Sequence, residues 1–227
     1  MDIGTLITEE LNIEVLFTIP IFGGIPITET VVVMWVIMAV MILGGWLVTR
    51  NFTVENCSKR QLIVESVYTM LENFFKGLVG ERGAAFIPYL LIVITFLAIS
   101  NFFGVFGVKP PTKDISLTGV LAIMSIILVQ AAGIRAKGVK GWLKSFASPS
   151  PVLLPINILE LGIKPLSLCM RLFGNVLGAF VIMKLVEIVV PTIIPPVLSL
   201  YFDLFDGCIQ AYVFTFLTAL YIQEAVE

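Results

Sequence analysis

Residues 167–178 read SLCMRLFGNVLG and place one arginine, Arg171, in a segment that is otherwise apolar or weakly polar. The whole chain of 227 residues is 58% hydrophobic and 13% charged, and its mean hydropathy is +1.03. Soluble domains carry about twice that share of charged residues. The composition therefore predicts an integral membrane protein, in which a permanently charged guanidinium is costly.

Hydrophobic runs long enough to cross a bilayer recur along the chain. They predict an all-α polytopic membrane protein that forms a single integral membrane domain over residues 1–227. An amphipathic helix at about 59–80, whose apolar residues recur at helical spacing, is expected to lie in the membrane interface. Five membrane-crossing helices are expected at about 31–48, 84–108, 115–134, 152–190 and 197–223.

The fourth of these helices is too long to cross the membrane upright. Residues 152–190 would extend roughly 57 Å as a helix at ~1.5 Å per residue, whereas the hydrocarbon core is about 30 Å thick. We expect this helix to tilt, bend or lie partly in the membrane plane, with Pro165 as the site of a kink. The last helix is expected to be long and tilted as well.

Lysine and arginine gather after the first and the third crossing helices, whereas the first 30 residues contain none. Because cytoplasmic loops of membrane proteins are enriched in these residues, the N-terminus is predicted to lie outside and the C-terminus in the cytoplasm. The second basic region is interpreted as a loop that contains Arg135, Lys137, Lys140 and Lys144.

Polar residues of the last two crossing helices form two stripes. At 100° per residue, six residues of the fourth helix project within about 40° of the direction of Arg171. They are Asn157, Glu160, Lys164, Ser167, Arg171 itself and Asn175. The same arithmetic places Asp203, Asp206 and Gln210 on one face of the last helix. We expect the two stripes to face each other or a shared aqueous cavity.

Arg171 is the strongest functional candidate on these stripes. A charge at the bilayer centre costs about 2.5–3.5 kcal/mol on insertion scales, and intramembrane ionisable residues commonly mark an ion path. An arginine cannot lose its proton in a protein to escape that cost. The alternative is a structural ion pair between Arg171 and an acid of the same chain.

The other stripe residues have structural alternatives too. Glu160 and Lys164 can neutralise each other as an i,i+4 pair. The carboxylates of Asp203 and Asp206 can stabilise the positive end of the helix dipole, because they lie in the early turns of the last helix. Asn175 and Gln210 can form an ordinary hydrogen bond between helices.

Several motifs together resemble one known family, subunit a of the F-type ATP synthase membrane sector. The resemblance covers nearly the whole chain, in order. The motifs are PINILE at 155–160, KPLS at 164–167, RLFGN at 171–175, QAYVF at 210–214, KPPT at 109–112 followed by Asp114, and SPSP at 148–151.

This resemblance implies an ion-translocating stator subunit in a bacterial plasma membrane. Its partners would be a rotating c-ring of small hairpin subunits with one membrane carboxylate each, the peripheral-stalk subunit b and the rest of the ATP synthase. Arg171 would favour the deprotonated ring carboxylate and block leakage between two offset aqueous half-channels. The resemblance and the stripes together assign the ion path to Glu160, Ser167, Asn175, Asp203, Asp206 and Gln210.

One position departs from the family pattern. Many members carry a glutamate nine residues after the arginine, where this chain has Phe180. We expect Asp203 and Asp206 to take over that proton-relay role. Either H⁺ or Na⁺ is compatible with the chain, because the ion-coordinating carboxylate belongs to the ring.

Other function classes fit the sequence less well. No Walker-type motif is present, so no direct nucleotide binding is expected, and a net charge of −2 does not suggest a nucleic acid partner. With no histidine and no paired cysteines, we expect no metal or cofactor and no catalysis by the chain alone. The main alternative is a self-contained ion channel or secondary transporter, in which the stripes line a pore within one chain.

Overall fold

The computed structural model describes residues 15–19, 25–50, 52–53, 58–104, 110–146, 154–189, 198 and 200–227. A short antiparallel hairpin, β1 (Val15–Ile19) and β2 (Ile25–Thr28), comes first and was not predicted from the sequence. The helices that follow are α1 (Glu29–Thr49), α2 (Lys59–Gly83), α3 (Ile87–Gly104), α4 (Ile115–Ser145), α5 (Leu154–Val189) and α6 (Gly207–Val226).

Five helical stretches of the described chain are long and apolar enough to cross a membrane. The prediction of an all-α polytopic membrane protein is therefore confirmed. The second stretch joins α2 to α3 through a 3-10 turn, Ala84–Phe86. The five stretches are Glu29–Thr49, Lys59–Gly104, Ile115–Ser145, Leu154–Glu187 and Leu200–Val226.

Helix α2 corresponds to the helix predicted in the membrane interface. It buries Phe75 and Val79, whereas Leu62 and Met70 on its other sides are exposed. Its regular geometry is interrupted at Gly80, where φ is 71°. Only glycine adopts this left-handed conformation without steric cost, so the chain can change direction before α3. Its position in the membrane interface stays a prediction.

The prediction of a basic loop after the third crossing helix was wrong, because helical structure extends through this region to Ser145. The chain turns at Gly138, where φ is 72°. The Trp142 indole nitrogen donates a hydrogen bond to Gln130 Oε1 at 2.8 Å, although these residues would be about 18 Å apart along a straight helix. The basic residues beyond Gly138 thus lie on a helical segment that folds back.

Helix α5 is a single helix of 36 residues that contains Pro165. At ~1.5 Å per residue it is about 54 Å long, which confirms the expectation of a helix longer than the bilayer is thick. Its tilt stays a prediction. Part of the predicted span, residues 152–153 and 190, lies outside the described residues.

The last crossing stretch begins with a π-helix, Leu200–Asp206, which was not predicted. In a π-helix each backbone hydrogen bond links residues five apart instead of four. The count of 100° per residue therefore does not hold within this stretch, whereas Asp206, at its end, lies one α-helical turn before Gln210. The alignment of Asp203 with these two residues stays a prediction. Segments of π-helix occur frequently at functional sites.

Two clusters of buried side chains hold the helices together. Helices α3, α4 and α6 contribute to both clusters, so these three helices form the centre of the bundle. By contrast, Ile37 is the only buried residue of α1. The first cluster includes Leu97, Leu121, Leu168, Leu172 and Phe214, and the second includes Phe75, Leu90, Val129, Ala219 and Ile222.

Candidate functional site

Arg171 lies on the outward face of α5. Leu168 and Leu172, at about 60° and 100° around the helix from Arg171, are buried and pack in the first cluster. The side chain of Arg171 lies beside this packed side and is exposed. Ile163 and Met170, about 80° and 100° from Arg171 in the other direction around the helix, are exposed as well. The guanidinium therefore stands at the edge of an exposed apolar surface.

The alternative of a structural ion pair for Arg171 finds no support in the structure. The side chain makes no ion pair with any residue that the structure describes. Glu160, the stripe carboxylate on the same helix, pairs with Lys164 instead. The charge of Arg171 is thus available to a group from outside the described chain.

One helical turn beyond Arg171, α5 is linked to α6 by a hydrogen bond. Asn175 Nδ2 donates to Gln210 Oε1 at 2.6 Å. Gln210 is 3% exposed, and its Nε2 donor has no partner within the described part of the chain. Buried side-chain donors are nearly always satisfied by protein or water. The contact confirms that the two stripes face each other here, and the free donor points to a water site.

On the other side of Arg171, Lys164 contacts two carboxylates. Its ammonium lies 2.9 Å and 2.8 Å from the two oxygens of Glu224 in α6, and 3.4 Å from Glu160 Oε2. The predicted i,i+4 pair with Glu160 is therefore present, but Glu224 is the closer partner. Glu224 was not predicted from the sequence as a site residue. At 100° per residue along the last helix, it lies within about 40° of Gln210.

These residues line an open cavity of about 290 Å³. Asn157, at one side, donates a hydrogen bond to the backbone oxygen of Phe146 at 2.9 Å. The cavity has room for several water molecules and for a hydrated ion path between its carboxylates. The polar lining consists chiefly of Gln130, Asn157, Glu160, Lys164, Tyr221 and Glu224.

Near the opposite end of α6, neutral hydrogen bonds link α3 to α6 and to a short 3-10 turn, Pro111–Lys113. Asn101 of α3 donates to the backbone oxygen of Gly207 at 2.9 Å and accepts from the Thr112 hydroxyl at 3.1 Å. A Cβ atom added at Gly207 would lie 2.6 Å from Asn101 Cβ, so only glycine allows this close approach. Asp206, which ends the π-helix, is half-buried beside this contact.

Phe180 lies at the same end as Asp206. The Lys113 ammonium stands 3.4 Å from the centroid of its ring, a cation–π contact between the 3-10 turn Pro111–Lys113 and α5. The position where many family members carry a glutamate thus faces a lysine in this chain. No sequence signal had pointed to this contact.

Two further predicted site residues, Ser167 and Asp203, make no described contact with the other site residues. Ser167 is half-buried, one turn before Arg171, and its hydroxyl has no hydrogen-bond partner among residues 154–189 or the other described ranges. Asp203 lies in the π-helix, but its side chain is outside the described part of the structure. The structure thus joins Asn175 to Gln210 and leaves Arg171 between two polar ends.

Comparison with known proteins relates this chain to one family. A family model described as ATP synthase A chain matches residues 31–223. ATP synthase subunit a of Moorella thermoacetica is 36% identical over 90% of this chain and 94% of that protein. ATP synthase subunit a 1 of Crocosphaera subtropica is 32% identical over 89% of each chain. A protein of Propionigenium modestum named ATP synthase subunit a, sodium ion specific, is 34% identical over 89% of this chain and 75% of that protein.

Proposed function

Because this chain belongs to the ATP synthase A chain family, we propose that Arg171 separates two half-channels that carry ions to and from a rotating c-ring. The chain is an ion-translocating stator subunit of an F-type ATP synthase and a multi-pass membrane protein. It contributes no catalytic group of its own, and ATP is formed elsewhere in the complex. The c-ring and the peripheral-stalk subunit b are the partners that we propose.

The observation that carries the proposal is the outward, unpaired position of Arg171. In an apolar surface, a guanidinium without a carboxylate among the described residues is unfavourable by about 2.5–3.5 kcal/mol on insertion scales. A carboxylate presented by a ring subunit would offset this cost when it passes. The positive charge favours the deprotonated carboxylate and repels cations that would otherwise cross directly between the half-channels.

The first half-channel is assigned to the cavity at Glu160. Glu160 precedes Arg171 by about 16 Å along α5 at ~1.5 Å per residue. Half of its side chain is exposed at the cavity, where it can exchange ions with water. In the predicted orientation, this cavity opens toward the cytoplasm.

The second half-channel is assigned to the end where the π-helix meets α6. Asp206 and Asp203 supply carboxylates there, and the pair Asn175–Gln210 leads from them toward Arg171. The unpartnered Gln210 donor can hold a water molecule on this path. In the predicted orientation, this end faces the outside of a bacterial plasma membrane.

Either H⁺ or Na⁺ is the transported ion in this proposal. A relative that is named sodium ion specific matches this chain at 34% identity, close to the 36% of a relative whose name specifies no ion. Each unit charge that crosses the membrane supplies about 2.3 kcal/mol per 100 mV, so several ions are needed for each ATP.

The test is Arg171→Ala in the assembled complex in membrane vesicles. Ion-driven ATP synthesis is expected to fall by about 100-fold or more, which corresponds to roughly 2.7 kcal/mol, while assembly is retained. Arg135→Ala, which removes another exposed arginine, is the matched control and should leave synthesis intact. Normal synthesis in the Arg171→Ala complex would refute the proposal.

A second measurement separates the stator from the self-contained channel or transporter. The purified chain in liposomes is expected to conduct few ions, because the ring carboxylate is needed to carry an ion past Arg171. Strong ion flux through the isolated chain, with no ring present, would favour the alternative.

A further inference from the structure

Lys164 is shared unequally between two carboxylates. Both oxygens of Glu224 lie within 2.9 Å of its ammonium, whereas only one oxygen of Glu160 approaches, at 3.4 Å. The second Glu160 oxygen has no hydrogen-bond partner in the part of the chain that the structure describes. Glu224 thus takes most of the hydrogen-bonding capacity of the lysine and leaves Glu160 partly open to the cavity.

The charges that face this cavity are balanced. Besides Lys164, the lysine Lys137 of α4 lines it, and the two carboxylates of Glu160 and Glu224 oppose them. Tyr221 of α6 adds a neutral ring 5.2 Å from the Lys164 ammonium. Loss of the Glu224 charge would leave an excess positive charge, which repels cations from the cavity.

The pair Lys164–Glu224 contributes little to holding the helices together. The side chains are 22% and 58% exposed, and ion pairs of such exposure are worth about 0–1 kcal/mol. The larger effect of the pair is that Glu224 competes with Glu160 for the ammonium of Lys164. Without Glu224, the ammonium would pair fully with Glu160, which lies one turn away on the same helix.

We propose that Glu224 is a positioning residue for ion transfer: it holds Lys164 so that the Glu160 carboxylate stays open to ions in the cavity. This inference rests on the proposed role of Glu160 in the ion path. The carboxylate of Glu224 need not bind the transported ion itself. Its contribution is to keep the one nearby cation of α5 from neutralising Glu160.

The test compares Glu224→Gln with the double variant Lys164→Gln/Glu224→Gln in the assembled ATP synthase in membrane vesicles. The single variant should slow ion-driven ATP synthesis about two- to fivefold, the range expected for an ion pair of roughly 0.5–1 kcal/mol. Synthesis should recover in the double variant, because no lysine remains to occupy Glu160. Glu224→Asp should also recover most of it, since the charge is retained.

Glu227→Gln is the control, because Glu227 directly follows the same helix, accepts a hydrogen bond from Gln223 and does not line the cavity. A double variant as slow as Glu224→Gln, or slower, would show that the pair is only a link between helices and would overturn the proposal. So would normal synthesis in Glu224→Gln.

Glu160→Gln in the same vesicles tests the ion path through Glu160 separately from the positioning role of Glu224. If Glu160→Gln is slow and Glu224→Gln is normal, only the positioning role is wrong. If Glu160→Gln itself is normal, the proposed ion path through Glu160 is wrong, and the positioning role is wrong with it.

Discussion

The two ends of α6 are held by different interactions. At one end, Lys164 bridges Glu160 and Glu224 beside an open cavity. At the other, Asn101 joins Thr112 to the backbone of Gly207 in a tightly packed and uncharged contact. Exposed ion pairs are weak and rearrange easily, whereas buried amide hydrogen bonds are costly to break. The first end can adjust to a passing ion, and the second holds the helices in register.

This difference places Arg171 between an adjustable and a rigid region. A stator that positions one charge against a moving ring needs helices that do not shift. The contact at Gly207 holds α6 against α3, and the hydrogen bond from Asn175 to Gln210 links α5 to α6. Ion exchange with water needs groups that can change partner, and the charged end supplies these. The comparison predicts loss of stability for a substitution at the packed contact between Gly207 and Asn101, and loss of transport rate for substitutions of the carboxylates at either end.

The largest stability effect is expected for Gly207→Val. The added Cβ would lie 2.6 Å from Asn101 Cβ, which forces α3 and α6 apart. Overpacking of this kind costs about 3 kcal/mol. The midpoint of thermal unfolding in detergent should fall clearly. Gly45→Ala is the control, because no atom lies within 4 Å of a Cβ at Gly45. An unchanged midpoint for Gly207→Val would remove the basis for calling this end rigid.

The double variant Asp203→Asn/Asp206→Asn tests whether the rigid end also carries ions. Ion-driven ATP synthesis in vesicles is expected to slow about tenfold, equivalent to roughly 1.4 kcal/mol, with smaller effects for each single variant. Glu81→Gln, which changes a carboxylate with an 85% exposed side chain in α2, should have no effect. If the double variant is as fast as that control, both aspartates act only on the helix dipole.

The smallest effect is expected for Asn175→Ala, between the two ends. It removes the 2.6 Å hydrogen bond to Gln210, at a cost of about 1 kcal/mol because water can reach the exposed position of Asn175. Thermal unfolding and ATP synthesis per assembled complex should be measured together. Slower synthesis would support a place in the ion path. Reduced stability with unchanged synthesis would leave only an ordinary contact between helices.

The parts of the site that were predicted from the sequence are those that follow from helical periodicity on one helix. The stripe through Glu160, Lys164 and Arg171 lies on α5 as expected, because α5 keeps α-helical geometry through Pro165. The position of Asp203 does not follow from the same count, because the chain there adopts a π-helix with a different number of residues per turn.

The parts that were missed depend on contacts between distant segments. Glu224 was overlooked because it lies beyond the predicted end of the last crossing helix, at residue 223, and its partner Lys164 is 60 residues away. The continuation of α4 was missed because four basic residues suggested a loop. They are instead carried on a helical segment that turns at Gly138.

Hydropathy and residue order alone were sufficient to establish a membrane protein of this family with a permanent charge at Arg171. Both properties are local, because long apolar segments partition into the bilayer and a helix orients neighbouring side chains by its own geometry. The folded chain was needed to establish that Lys164 binds Glu224 more closely than Glu160, and that Arg171 faces outward without an acid among the described residues. Those properties depend on which helices pack together and on their relative shift along the helix axes. Packing between segments that are remote in the sequence determines both.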